Sequence, residues 1–346
     1  FNFDTSSIRI TRAEPLPPLF STIRLQINPA LQNNFIYTVK TENLITCQTH
    51  ASYSTPPVLT GIPKDPEPKE IILNEILYDP PQTGADFIEL VNRSKAIINL
   101  KSLYAANRIN FNSYSTPMVL SEKNRNILPG EHIVISTDTG YIKRQWPNSF
   151  IKQLHAIKQL PSLPNEAGSI ILLNQQGITL EEFHYNDAMH FALLRDTEGV
   201  SLERINSTES AMNPNNWHSA AASANYATPT LENSQNQKQR QSEKQFELSS
   251  DVISLDNDGY NDILNLRYQF NQTGYLLSAS LFNLQGKAIA TIFNNELCAS
   301  SGNFSWKGVD HLGNTIPSGV YILFVEAIHK SNKPIQWKKT IVVKRY

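Results

Sequence analysis

The stretch EIILNEILYDPPQTGADFIELVNRS, Glu70–Ser94, decides the fold. Two apolar runs, Ile71–Tyr78 and Phe87–Asn92, flank a break rich in Pro and Gly. Short apolar runs bounded by turn formers read as strands. Along Phe87–Val91 the side chains alternate, so Phe87, Glu89 and Val91 share one side and Ile88 and Leu90 the other.

The same rhythm extends outward in both directions. Ser21–Asn28, Phe35–Thr41, His132–Thr137, Ser169–Asn174, Leu276–Asn283 and Val320–Ile328 all read as strands. Pro129-Gly130 and Gly168 read as turns between them. Thr139–Trp146 reads as one short helix, stopped by Pro147, because the residue before a proline is pushed out of helical conformation. The chain is therefore predicted to be all-β, with pairs of sheets closed over shared cores.

Two breaks organise the chain. Pro63–Lys69 carries three prolines within the run GIPKDPEPK and reads as a stiff connector. Leu231–Gln245 (LENSQNQKQRQSEKQ) has one apolar residue, too few to bury, and reads as a flexible polar linker. The pieces expected are 1–62, 70–230 and 246–346.

Bulk properties narrow the function classes. The 346 residues are 40% hydrophobic, enough for packed cores. Net charge is −1, so no overall bias draws the chain to nucleic acid or anionic lipid. No run of about 18 apolar residues marks a membrane helix. The chain opens at Phe1, which reads as a processed or partial product, and 1–62 is short for a sandwich of about 100 residues, so further strands are expected upstream. Cys47 and Cys298 fall in different pieces and read as two buried thiols.

The middle piece resembles a lamin-tail domain. Asn74-Glu75, the Pro/Gly turn and Asp86–Asn92 look like its opening. ILPGEHIVIST (Ile127–Thr137), LPNEAGSIILLNQQG (Leu163–Gly177), GVSLERIN (Gly199–Asn206), NWHSA (Asn216–Ala220) and ATPT (Ala227–Thr230) resemble the following segments in order. The resemblance implies an immunoglobulin-like sandwich. Residues 246–346 resemble the C-terminal β-sandwich modules of secreted Bacteroidota-type proteins, which are similar to the Ig-like domain of the flagellar hook-capping protein; GNFSWKGVDHLGNTIPSGVYIL (Gly302–Leu323) and the final KKTIVVKRY carry that likeness. Some such modules are sorting signals for type IX secretion. Residues 1–62 look like the later half of a further Ig-like module.

Several residues are candidates for chemistry. His184, Asp187 and His190 lie within seven residues, followed by Glu203, Arg204 and His218, but H-x5-H is no recognised zinc spacing and hydrogen-bonded loop supports are the plainer reading. No nucleophile elbow, P-loop or dinucleotide fingerprint is present. Asp256, Asp258 and Asp262, with Gly259 between, place oxygens at alternate positions as a calcium loop does, or else form an Asx-rich turn. Lys330–Tyr346 holds six Lys/Arg and no acid, which reads as the solvent face of an edge strand before it reads as an anion site. The polar 101–126 stretch carries Tyr104, Phe111 and Tyr114, with Tyr141 and Trp146 nearby, and is expected to be a partner-facing loop.

The expectation is a cell-surface or secreted, non-catalytic binding or scaffolding protein of an outer-envelope assembly. Protein partners are expected, a surface glycan is a second candidate, nucleic acid is not, and calcium is the one candidate cofactor. The alternative is the non-catalytic tail of a longer secreted hydrolase.

Overall fold

The computed structural model describes residues 2–4, 8–19, 22–33, 35–45, 52–192, 194–236, 245–256, 261–310 and 312–345. The fold is all-β: 50% of the described residues are strand and 7% helix. Two compact units form, one from 1–72, 90–133 and 170–182, the other from 73–89, 134–169 and 183–346.

In the first unit, Arg9–Leu16 pairs antiparallel with Thr22–Asn28, and Ile36–Ile45 sits between Asn2–Phe3 and Ser52–Gly61. Alternate residues of Thr22–Asn28 are half-buried and exposed, as the period of two demands. Ile8 and Tyr37 supply the buried apolar contacts there. The proline-rich connector is pinned at its ends. Lys64 N donates to Ile97 O, Lys69 N to Leu180 O, and the Lys64 ammonium meets Glu70 at 2.8 Å. Leu103–Ala106 pairs with Met118–Val119 on one side and with Ala167–Asn174 on the other. Ala106, Ile171 and Leu173 form a small cluster there, with Tyr104 against it.

A six-stranded sheet, most of whose residues belong to the second unit, runs in the order Leu154–Ala156, His132–Ser136, Phe87–Asn92, Ile71–Leu77, Leu202–Arg204, Trp217–Ser219. Ile71–Leu77 and Phe87–Asn92 are buried at every position, because both lie in the middle of this sheet. The helix Thr139–Gln145 forms where expected, and the Asp138 carboxylate caps it by accepting from Tyr141 N at 2.9 Å. Tyr141, Ile142 and Trp146 bring the helix onto Leu77, Phe87 and Val134.

The C-terminal part of this unit is a sandwich of two sheets. One runs Phe246–Leu248, Leu264–Gln269, Ser301–Trp306; the other runs Val252–Ser254, Asn332–Lys344, Gly319–His329, Tyr275–Asn283, Ala288–Leu297. Leu264, Leu266, Trp306, Leu277, Leu281, Leu323 and Val325 enclose one core between them. The lysine-rich close is a strand whose Ile335 and Trp337 pack on that core, while Lys333 and Lys338 are exposed.

Three local readings are corrected. Gly168 is no turn: it lies within the strand Ala167–Asn174, and the Tyr185 ring rests where its side chain would be. Leu231–Gln245 is no solvated linker over its first part. Asn233 and Gln235 are buried, their side-chain NH2 groups donating to backbone carbonyls such as Arg204 O and Ser219 O; composition could not foresee those partners. The 101–126 stretch, expected to be a loop, carries the short strands Leu103–Ala106, Arg108–Asn110, Ser113–Tyr114 and Met118–Val119.

Candidate functional site

Two places gather polar or exposed side chains in unusual density. The first is the hairpin of Arg108–Asn110 and Ser113–Tyr114. Asn110 Oδ1 accepts from Asn112 N at 3.0 Å, which closes the turn as an Asx motif. Ser115 N donates to Asn107 O at 2.8 Å, and Ser115 Oγ accepts from Asn107 N at 3.0 Å, which fixes the base. The Arg108 guanidinium grips Glu182 with two nitrogens, Nε to Oε1 at 2.9 Å and Nη2 to Oε2. The tip carries Phe111, 95% exposed, and Ile109, 66% exposed, with Tyr114 at 37%.

The aromatics expected to face a partner therefore divide. Phe111 and Tyr114 stand on the hairpin and Tyr104 is half-buried against its small cluster. Tyr141 and Trp146 are corrected to core: Trp146 lies edge-on to Phe87 at 6.0 Å, and its Nε1 donates to Asn225 O at 3.0 Å.

The second place is buried and polar. Glu75, Glu89 and Glu203 are each 0% exposed. Glu203 lies directly opposite Glu75 across the strand pair. Glu75 Oε1 accepts from Ser201 Oγ at 2.5 Å and from Thr228 N at 2.9 Å. Glu203 Oε2 accepts from Ser234 Oγ at 2.7 Å and Gln235 N at 2.9 Å. Glu89 accepts from Asn74 Nδ2 at 2.7 Å and from Thr230 N at 2.5 Å. Asn233 completes the set, donating to Asn74 O and Arg204 O. Burial, then the neighbouring Glu203 and Glu89, hold the Glu75 carboxyl well above the usual range. Burial also raises Glu203, against the pull of its hydrogen-bond donors.

Sequence reading placed Asn74, Glu75 and Glu89 in strands without seeing that their polar ends meet. The available signal was a carboxylate inside otherwise apolar runs such as ILNEIL, since acids are almost never fully buried without partners.

The histidine-rich segment does not gather. On the strand Thr179–Asn186, Phe183 and Tyr185 are buried while His184 is exposed. His190 is buried, and its Nδ1 lies 2.9 Å from Ser219 Oγ, which also accepts from Phe191 N at 2.9 Å. Burial pushes the His190 imidazole down to about 4. That is a core histidine anchored through Nδ1, its buried Nε2 lacking a hydrogen-bond partner among the described residues, with the Tyr78 ring tilted beside it at 5.6 Å. Among the described residues no group of three or more His, Cys, Asp or Glu is placed to hold a metal ion. Of the calcium candidates, Asp258 lies outside the described residues; Asp256 Oδ2 accepts from Ser254 Oγ at 2.9 Å. Cys298 is a buried free thiol, and Cys47 lies outside the described residues.

No family model and no curated protein matches the chain. Among solved structures it is similar to dimeric latent PorU from Porphyromonas gingivalis, at 8% identity over 94% of this chain and 25% of that one, with a TM-score of 0.24. It is similar to PorZ, an essential surface component of the type-IX secretion system of the same bacterium, at 10% identity over 78% of this chain and 30% of that one, TM-score 0.25. A Ca2+-stabilized ice-binding adhesin of an Antarctic bacterium follows at 8% identity, over 90% and 57%, TM-score 0.17. The chain spans less than two thirds of each of these structures, and no residue role carries across at such scores.

Proposed function

We propose that this chain is an extracytoplasmic, non-catalytic binding and scaffolding protein with a lamin-tail-like middle piece, acting in an outer-envelope assembly that uses type IX secretion. The observation that carries the binding role is the hairpin tip: Phe111 and Ile109 stand in solvent on a base fixed by the Arg108–Glu182 ion pair. A large apolar side chain held rigidly in water is unfavourable for an isolated monomer and favourable at a recognition surface. The lamin-tail reading is supported by the ordered motifs from Asn74-Glu75 to Ala227–Thr230. The placement outside the cytoplasm rests on the sequence resemblance, and no described helix is long and apolar enough to cross a membrane. Calcium at Asp256, Asp258 and Asp262 belongs to the same proposal, as a stiffener of the C-terminal sandwich.

The test is retention on native outer envelopes. Wild-type chain and a Phe111→Ser, Ile109→Ser double variant are compared in a wash-off assay. The proposal expects at least a tenfold weaker retention of the variant with unchanged circular dichroism. Equal retention of both would overturn the hairpin as the binding element.

A further inference from the structure

The buried carboxylates fasten one segment, and they do so with one hydrogen too few. Thr228 Oγ1 lies 2.6 Å from Glu203 Oε1 and 3.3 Å from Glu75 Oε2. A threonine hydroxyl has a single proton to give. With both glutamates ionised, one of those two oxygen–oxygen contacts would join acceptors only, between like charges in an apolar interior. The contact is satisfied when one carboxyl is protonated. Glu203 already accepts from the Thr228 hydroxyl, the Ser234 hydroxyl and Gln235 N, a set that suits the charged form. Glu75 then carries the hydrogen on Oε2 and gives it to Thr228 Oγ1, which gives its own to Glu203.

The segment so held is a strap, 227–236. Glu75 binds Thr228, Glu89 binds Thr230, and Glu203 binds Ser234 and Gln235. The same strap holds the first residues after the strand Ala288–Leu297. Ser300 N donates to Ser234 O at 3.2 Å, Ser300 Oγ to Asn236 O at 2.8 Å, and Gln235 Nε2 to Cys298 O at 3.2 Å. Fastening the strap therefore fastens residues 298–300 of the C-terminal sandwich.

We propose that Glu75 and Glu203 share one proton through the Thr228 hydroxyl, and that its loss to solvent as pH rises unfastens the strap 227–236 and its hold on residues 298–300. The other charged or titratable groups around the pair are placed as follows. Glu89 faces Glu75 from the strand Phe87–Asn92 and disfavours its ionisation. Arg204 turns its Nη1 to Leu73 O and its Nη2 to Glu209 O. His218, opposite Glu203 on the next strand, contacts Ser219 O through Nδ1. Glu232 on the strap is exposed and accepts from Asn236. On the helix Thr139–Gln145, Lys143 donates to Pro147 O and Ser149 O, and Arg144 pairs with Asp138.

The experiment uses the full chain. Infrared difference spectra taken from about pH 5 to about pH 9 read the carbonyl stretch of a protonated carboxylic acid, and hydrogen exchange reads the protection of the Thr228, Thr230 and Gln235 amides. The expected result is a carboxylic-acid band still present at neutral pH, which fades as pH rises while protection of those amides falls at least tenfold, corrected for intrinsic exchange. Glu75→Gln mimics the protonated acid, so it removes the band that persists at neutral pH, leaving at the acid end the contribution of Asp86, and keeps the amides protected throughout. Absence of the band from the native protein at neutral pH overturns the proposal whether or not the variant folds. So does a Glu75→Gln chain whose strap protection falls with pH as in the wild type.

Discussion

Arg108 and Glu182 form a two-pronged ion pair at the base of a hairpin whose tip carries Phe111, 95% exposed. The pair is partly exposed, at 23% and 20%, so water screens it. Its value is geometric: the planar guanidinium fixes both position and angle, as a lysine ammonium would not. Arg108→Lys is therefore expected to cost about 1 kcal/mol or less in stability, yet to raise exchange of the Ser115 amide severalfold. Unchanged exchange would show that the Asx turn at Asn110 holds the hairpin alone.

Phe111→Ser should leave global stability within about 0.5 kcal/mol of the wild type, because a side chain 95% exposed loses little packing. Thermal unfolding of the purified chain checks this. A drop of several degrees would mean that Phe111 packs against something in solution, and self-association measured by sedimentation would then be the place to look.

Chelation addresses the calcium loop. If Asp256, Asp258 and Asp262 hold the ion, saturating calcium stabilises the chain by mass action, by about 2.7 kcal/mol at a hundredfold excess over Kd, and the unfolding midpoint rises accordingly. Asp262→Asn should abolish most of that gain. A midpoint indifferent to calcium and to EGTA returns the segment to an ordinary Asx-rich turn.

Much of the architecture was legible because alternation and turn chemistry are local. Phe87–Asn92 and Thr139–Trp146 needed only their own residues to be read, and they form as expected to within a residue. Burial of polar groups is not local. Glu75, Glu203 and Thr228 are far apart in sequence, and only the paired strands reveal that they meet. Gln235 reads as solvated linker from its neighbours, yet it is buried and its Nε2 donates to Ser219 O and Cys298 O. Phe111 could be picked out as an aromatic in a polar stretch, but its separation from Trp146, which enters the core, depends on the helix packing over Phe87.

Tyr268 and Gly302 are directly opposed on neighbouring strands, and the phenol lies over the glycine. Tyr185 covers Gly168 in the same way. The ring fills the space that a second side chain would occupy, which suits glycine in a strand that otherwise lacks packing. A Cβ at Gly302 would overlap the Tyr268 ring, so Gly302→Ala should destabilise the C-terminal sandwich by about 1–3 kcal/mol despite its better strand propensity. Chemical denaturation checks the sign. A stabilised Gly302→Ala chain would show that the ring swings aside freely.

His190 and Asp86 bend the pH dependence of stability in opposite directions. Burial lowers the His190 imidazole to about 4 from 6.5, so the unfolded chain binds a proton that the folded chain refuses between those values. Stability from this group is full above about 6.5 and is lost as pH falls toward 4, by at most about 3 kcal/mol. Burial first, and the neighbouring Asp79 second, raise Asp86 to about 6 from 3.8. Here the folded chain binds the extra proton, so stability is full below 3.8 and is lost as pH rises through 6. Asp86 is partly exposed, and solvent screening makes its effect the smaller. Over pH 4 to 6 the wild type should therefore gain stability with rising pH. His190→Gln is expected to flatten or reverse that slope, and Asp86→Asn to steepen it. Denaturation midpoints measured across the window in all three chains decide the matter, and a His190→Gln chain with the wild-type slope would place the acid sensitivity in other groups.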